Sequence, residues 1–120
     1  LDIGCNDGVL LKHYPNNFNN VVGIEPSDAS KFIKKKSIKL INKFFNYKIS
    51  KEYLKRFEKP KIITITNVLA QVDNLNEFAK SLNNIMNREI SDYMIGLDAL
   101  LESDRIQEEI FNIEHDLWEY

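Results

Sequence analysis

The sequence predicts one α/β domain over residues 1–120, a mostly parallel sheet with helices packed against it. Three observations lead there. Apolar runs of strand length alternate with longer stretches of helical period, the order that crossover connections impose on parallel strands. A glycine-bracketed turn, Gly4-Cys5-Asn6-Asp7-Gly8, follows the first apolar run directly. A chain of 120 residues suffices for one hydrophobic core and is short for two.

Taken in order, residues 1–3 read as the end of a buried strand, and the glycine turn leads into a helix over residues 9–14. Pro15 and the Asn-rich stretch to Asn20 terminate it. Residues 21–25 form a second strand, apolar until its acidic end, and Pro26-Ser27 open a helix to about residue 36. A third strand is expected over residues 39–45, and Ser50 is the expected cap of a short helix with Tyr53, Leu54 and Phe57 on one side. The run Lys61-Ile62-Ile63-Thr64-Ile65-Thr66 is the clearest strand, β-branched and bounded by Pro60 and Asn67. The clearest helix follows, because Leu75, Phe78, Ala79, Leu82, Ile85 and Met86 make a single apolar stripe. Asn74 and Glu77 stand at capping-box spacing at its start. Residues 93–97 read as a further strand and residues 100–111 as a helix, with no internal repeat and no linker.

Composition excludes several classes. Hydrophobic residues at 43% and charged residues at 28% are ordinary for a globular domain. The 16 basic and 18 acidic residues, read as interspersed, leave a net charge of −2, so no global attraction to nucleic acid or to an anionic membrane is expected. No run nears the roughly 20 apolar residues of a membrane span, and no signal-peptide pattern opens the chain. Cys5 is the single cysteine, which rules out an internal disulfide or a thiolate cluster and fits a reducing cytoplasm. The Lys34-Lys35-Lys36 run reads as a solvated helix end. The first residue is not Met and the last three are Trp-Glu-Tyr, so a piece of a longer protein, cut at both ends and marginally stable alone, is expected.

The glycine turn carries most of the functional information. Gly4 and Gly8 permit positive φ and a close approach of backbone to ligand, and the loop feeds a helix N-terminus with free N–H groups. Glu25 closes the next strand, and in a doubly wound sheet adjacent carboxyl ends line one crevice. A carboxylate there is acceptor-only and can take both hydroxyls of a ribose. A dinucleotide fingerprint fails, since Asn6 and Val9 occupy its second and third glycine positions. Asp2, two residues before Gly4, would repel a phosphate and suits a ligand carrying an ammonium group.

Asp2-Ile3-Gly4-Cys5-Asn6-Asp7-Gly8 resembles the first motif of class I S-adenosylmethionine-dependent methyltransferases. It is most similar to the Asn-Asp-Gly variant of C-methyltransferases that act on nucleotide-linked sugars. Leu10-Leu11, Gly23-Ile24-Glu25-Pro26-Ser27, Phe44-Phe45 and the segment Asn67-Val68-Leu69-Ala70-Gln71-Val72-Asp73-Asn74-Leu75 continue the resemblance to about Met86. It implies a three-layer Rossmann-like methyltransferase domain, truncated at both ends, with S-adenosylmethionine as cofactor. Asp2, Gly4 and Gly8 would shape the methionine end, with Asn6 a further cofactor contact in the loop. Glu25 would hold the ribose, Pro26 would lie beside the adenine, and Asn67 and Val68 would line the wall near the methyl group. The acceptor implied is a small molecule, a nucleotide-activated sugar.

Deprotonating a sugar carbon beside a ketone needs a base near neutral pH, a role that suits histidine. His13 falls late in the first helix and reads as a helix-end residue. The segment Phe111-Asn112-Ile113-Glu114-His115-Asp116-Leu117 resembles the family's catalytic stretch Tyr-His-Glu-His-Leu-Ser-Tyr-Phe. Without a gap, His115 and Asp116 take the first histidine and the glutamate, and Leu117 stands where the family has its base. With a one-residue slip, His115 becomes the base. The family's cysteine-rich zinc region has no counterpart in this sequence, so no metal ligand is assigned. Three other readings stay open: O- or N-methyl transfer with His115 or Asp116 deprotonating the nucleophile, a domain that binds the cofactor without catalysis, and a nicotinamide enzyme.

Overall fold

The computed structural model describes residues 1–66, 68–86 and 92–95. Five strands form one sheet: β1 (Asp2–Ile3), β2 (Val22–Ile24), β3 (Lys39–Ile41), β4 (Ile62–Ile65) and β5 (Asp92–Ile95). Their order is β3-β2-β1-β4-β5, and every pairing is parallel. The expected α/β fold with a parallel sheet is therefore present. The chain builds outward from β1 to β3, then returns to the other side of β1 to lay down β4. That reversal puts a crevice beyond the carboxyl ends of β1 and β4, where open α/β sheets bind ligands.

Side chains alternate across the sheet. Leu1, Ile3, Ile24, Ile63 and Ile65 face one side, where helices α1 (Tyr47–Arg56) and α2 (Leu75–Ile85) cover them. The opposite side holds a smaller cluster of Cys5, Leu11 and Ile38, with Ile33 and Leu40 against it. In α2 the expected stripe is the packed one, with Phe78, Leu82, Ile85 and Met86 buried and Leu75 and Ala79 partly so. Asn74 caps it by accepting the Glu77 N–H at 3.0 Å.

Four expectations are corrected. Residues 9–14 give only a 3₁₀ turn, Leu11–His13, because the six residues between Gly8 and Pro15 are too few to repay helix nucleation. The next helix shrinks to a 3₁₀ turn, Asp28–Phe32. Continuing it would stack Lys31 on Lys34 and Lys35, like charges at three- and four-residue spacing, whereas Ile33 turns extended and joins the smaller cluster. β3 ends at Ile41, where the Asn42 amide folds back to the Glu25 and Ser27 carbonyls. Asn46, not Ser50, caps α1, its Oδ1 accepting the Ile49 N–H at 2.9 Å. Ser50 is buried within α1, donating to the Tyr47 carbonyl and accepting from Asn84 Nδ2 of α2 at 3.0 Å. No helix among the described residues is long and apolar enough to cross a membrane. The expected helix over residues 100–111 lies outside the described residues.

Candidate functional site

The loop after β1 is shaped by three residues at positive φ: Gly4 (79°), Asn6 (55°) and Gly8 (80°). It folds over the end of β2, with the Gly4 and Cys5 N–H groups donating to the Ile24 carbonyl at 2.7 and 3.2 Å. Its seat is Gly23, where a Cβ would stand 2.5 Å from Cys5 Sγ and 2.9 Å from Leu11 Cδ1. Glycine at 23 is thus required by packing, which the motif alone did not explain. Cys5 itself is buried, and burial first, with the charges of Asp2 and Glu25 added, pushes its thiol up to about 12. At neutral pH it is a packed thiol and no nucleophile.

Beyond this loop lies a cavity of about 820 Å³ at the carboxyl ends of β1, β2 and β4. Of the residues expected to contact the cofactor, Asp2, Gly4, Asn6, Glu25, Pro26 and Val68 line it. Gly8 does not: a Cβ there would meet Ile33 at 3.3 Å and Ile38 at 3.6 Å, so Gly8 acts on loop shape and core packing. A Cβ on Gly4 would collide with Val68 Cγ2, which ties the β1 loop to the segment after β4. Asn67 and the pair His115 and Asp116 lie outside the described residues.

Glu25 is 8% exposed, and both its oxygens are engaged. Oε1 accepts the Asn6 N–H and Oε2 the Ser27 N–H, each at 2.9 Å. Charge-assisted bonds of this kind fix the carboxylate while leaving each oxygen a second lone pair for a ligand hydroxyl. Asn42, which sequence reasoning missed, secures the same turn: its Nδ2 donates to the Glu25 carbonyl at 2.6 Å and the Ser27 carbonyl at 3.2 Å. A lone amide after a strand gives little signal in sequence. Asp2 is 2% exposed, with Oδ1 accepting from Thr64 Oγ1 at 2.7 Å across the β1–β4 register. Burial raises its pKa above the usual 3.8, Glu25 adds to the rise, and the Thr64 bond opposes it.

The opposite wall was legible only in part. Phe44 and Phe45 follow β3, and Phe45 meets Phe78 edge-on at 5.4 Å. Asp73 and Glu77 also face the cavity, so four carboxylates and no Lys, Arg or His are among its described lining. That set of acceptors fits a ligand with a cationic portion and a sugar, and disfavours a phosphate inside these walls. S-adenosylmethionine has that character: an ammonium, a sulfonium and a ribose, without phosphate.

No curated protein matches the chain. A family model described as a methyltransferase domain matches residues 1–106, nearly the whole sequence. With a parallel sheet in the order β3-β2-β1-β4-β5 and an acid-lined cavity at its switch point, the chain belongs to that methyltransferase-domain family.

Proposed function

We infer that the cavity binds S-adenosylmethionine and that the protein transfers its methyl group to a small molecule. The observation that carries this is the bond between Glu25 and the Asn6 N–H, which joins the ribose-binding acid to the loop that faces the methionine end. Glu25 holds the ribose hydroxyls on its free lone pairs, Asp2 faces the ammonium, and Pro26 offers apolar surface to the adenine. Gly4, Asn6 and Gly8 give the loop its shape, Val68 is assigned to the wall beside the methyl group, and Asn67, its neighbour in sequence, is proposed for the same role. The cofactor, when bound, supplies a methyl already activated by positive sulfur. What the protein must add is alignment and removal of a proton from the acceptor. His115, with Asp116 beside it, is the proposed base or its orienting partner.

Two acceptors are in contention. The motif resemblance favours a nucleotide-activated sugar. The four carboxylates favour an uncharged or cationic acceptor taken at oxygen or nitrogen, since a diphosphate against these walls would be repelled. Mass spectrometry of acceptor pools incubated with the protein and deuteromethyl-labelled cofactor distinguishes them. Label on a sugar carbon supports the first and label on oxygen or nitrogen the second. No labelled product from either pool would leave a domain that binds without catalysis. His115→Ala should lower turnover far more than cofactor affinity, and unchanged turnover removes His115 from the mechanism.

A further inference from the structure

The small net charge conceals a sharp division. Residues 31–61 hold twelve of the sixteen Lys and Arg but two of the eighteen Asp and Glu, a local net charge of +10 against −12 for the rest. The even mixing expected from the overall balance is absent. The fold gathers this segment at one edge: it runs from the end of the 3₁₀ turn through β3 and α1 to the start of β4, and β3 is the outer strand of the sheet. The loop of residues 34–36 leaves from the side of the smaller cluster, and α1 lies on the opposite side, so cations wrap the rim from both. On α1, Lys48, Lys51 and Lys55 share the exposed side, away from buried Ile49 and Tyr53.

Surface lysines are ordinarily solvated one by one. Here two pairs are gathered. Lys39 Nζ and Arg56 Cζ lie 5.4 and 5.0 Å from the centre of the Phe57 ring, and Lys51 Nζ and Lys80 Nζ lie 4.6 and 5.0 Å from that of Tyr47. Each ring attracts its cations, but two on one ring stand within about the 10 Å over which salt screens charge, so they repel. Among the described residues the one ion pair is Lys31–Asp28, and none of these four cations has a carboxylate partner. An anion arriving between them relieves the repulsion. Phe32 and Phe44, 69% and 75% exposed, stand in the same segment as bare rings. Cations that follow a backbone, interleaved with exposed aromatic faces, are what unpaired bases and their phosphates use.

We propose that the β3–α1 rim binds single-stranded nucleic acid, with phosphates along the lysines and bases against Phe32 and Phe44. A bilayer is flat and meets the rim from one side, whereas a flexible strand can follow the cations around it. The rim reaches the cavity at Phe44, whose neighbours Phe45 and Asn46 also line it. Binding there needs no particular methyl acceptor and is independent of the cofactor reading.

The test titrates the full chain into a labelled single-stranded RNA of about 12 nucleotides, a length such surfaces cover, at several salt concentrations. The expected result is binding whose log–log salt slope is about −2 to −3.5, three to five phosphates neutralised. The triple variant Lys48→Glu, Lys51→Glu, Lys55→Glu should raise Kd by about tenfold or more, with the fold retained by circular dichroism and S-adenosylhomocysteine affinity unchanged. Phe32→Ala should weaken binding without altering the slope. Absence of binding at low salt, a flat salt dependence, or wild-type affinity in the triple variant overturns the proposal and leaves the lysines as protection of an exposed strand edge. Capture by phosphatidylserine vesicles in preference to the oligonucleotide overturns it as well.

Discussion

Glu25 enters any ligand complex already anchored by two backbone N–H groups, so its geometry is set before binding. Glu25→Ala should therefore weaken S-adenosylhomocysteine binding by about 1.5–3 kcal/mol, the range for hydrogen bonds to a charged group, with part of the loss arising from the freed Asn6 N–H. Asp2 gives a prediction of opposite sign for folding. Its folded pKa lies above the ordinary 3.8 because it is buried, so the unfolded chain ionises first. Below 3.8 the carboxyl is protonated in both states and nothing is lost; as pH climbs through the raised folded value, stability falls. Asp2→Asn, which keeps a partner for Thr64, should be the more stable protein at neutral pH and no more stable at the acid end, while binding the cationic cofactor more weakly. Denaturant titrations of both proteins across pH check this, and parallel curves would contradict it. Gly4→Ala adds strain at φ 79° and a clash with Val68. A double-mutant cycle with Val68→Ala should be less than additive in stability, since shortening Val68 relieves the clash and leaves the strain.

At the scale of elements, what the sequence makes legible is what periodicity encodes. The β-branched run before Asn67 and the stripe from Leu75 to Met86 each have one low-energy way to bury their apolar atoms, and both are found as strand and helix. The short connections before β3 were misread because local spacing looked helical while tertiary demands were stronger: Ile33 is needed in the core and the lysines after it repel. In the site, Glu25 and the Gly4 loop were visible because their residue types are tied to backbone geometry. Asn42 and Thr64 were not, because their partners lie 17 and 62 residues away and only the register brings them together. The cap of α1 is testable at this scale. Asn46→Ala should cost about 0.5–2 kcal/mol and loosen the first turn of a helix whose start borders the cavity, whereas Ser50→Ala acts on the α1–α2 contact through Asn84. Denaturation midpoints separate the two only if cofactor affinity is measured alongside: it should fall in the first and hold in the second.

Across the whole molecule, topology and charge act together. The return from β3 to β4 opens the crevice, and the charged residues among its described lining are all acidic while basic residues collect at the outer edge. The protein is thus polar in the electrical sense, with a hollow that attracts cations and a rim that attracts anions. Every role assigned to the hollow depends on its taking S-adenosylmethionine. Isothermal titration calorimetry of the full chain with S-adenosylhomocysteine, and separately with NAD, addresses it most directly. One site for S-adenosylhomocysteine, weakened in Glu25→Ala, with little or no heat from the pyrophosphate-bearing NAD, is the expected result. Tighter binding of NAD, or equal S-adenosylhomocysteine affinity in Glu25→Ala and the parent, would contradict the account.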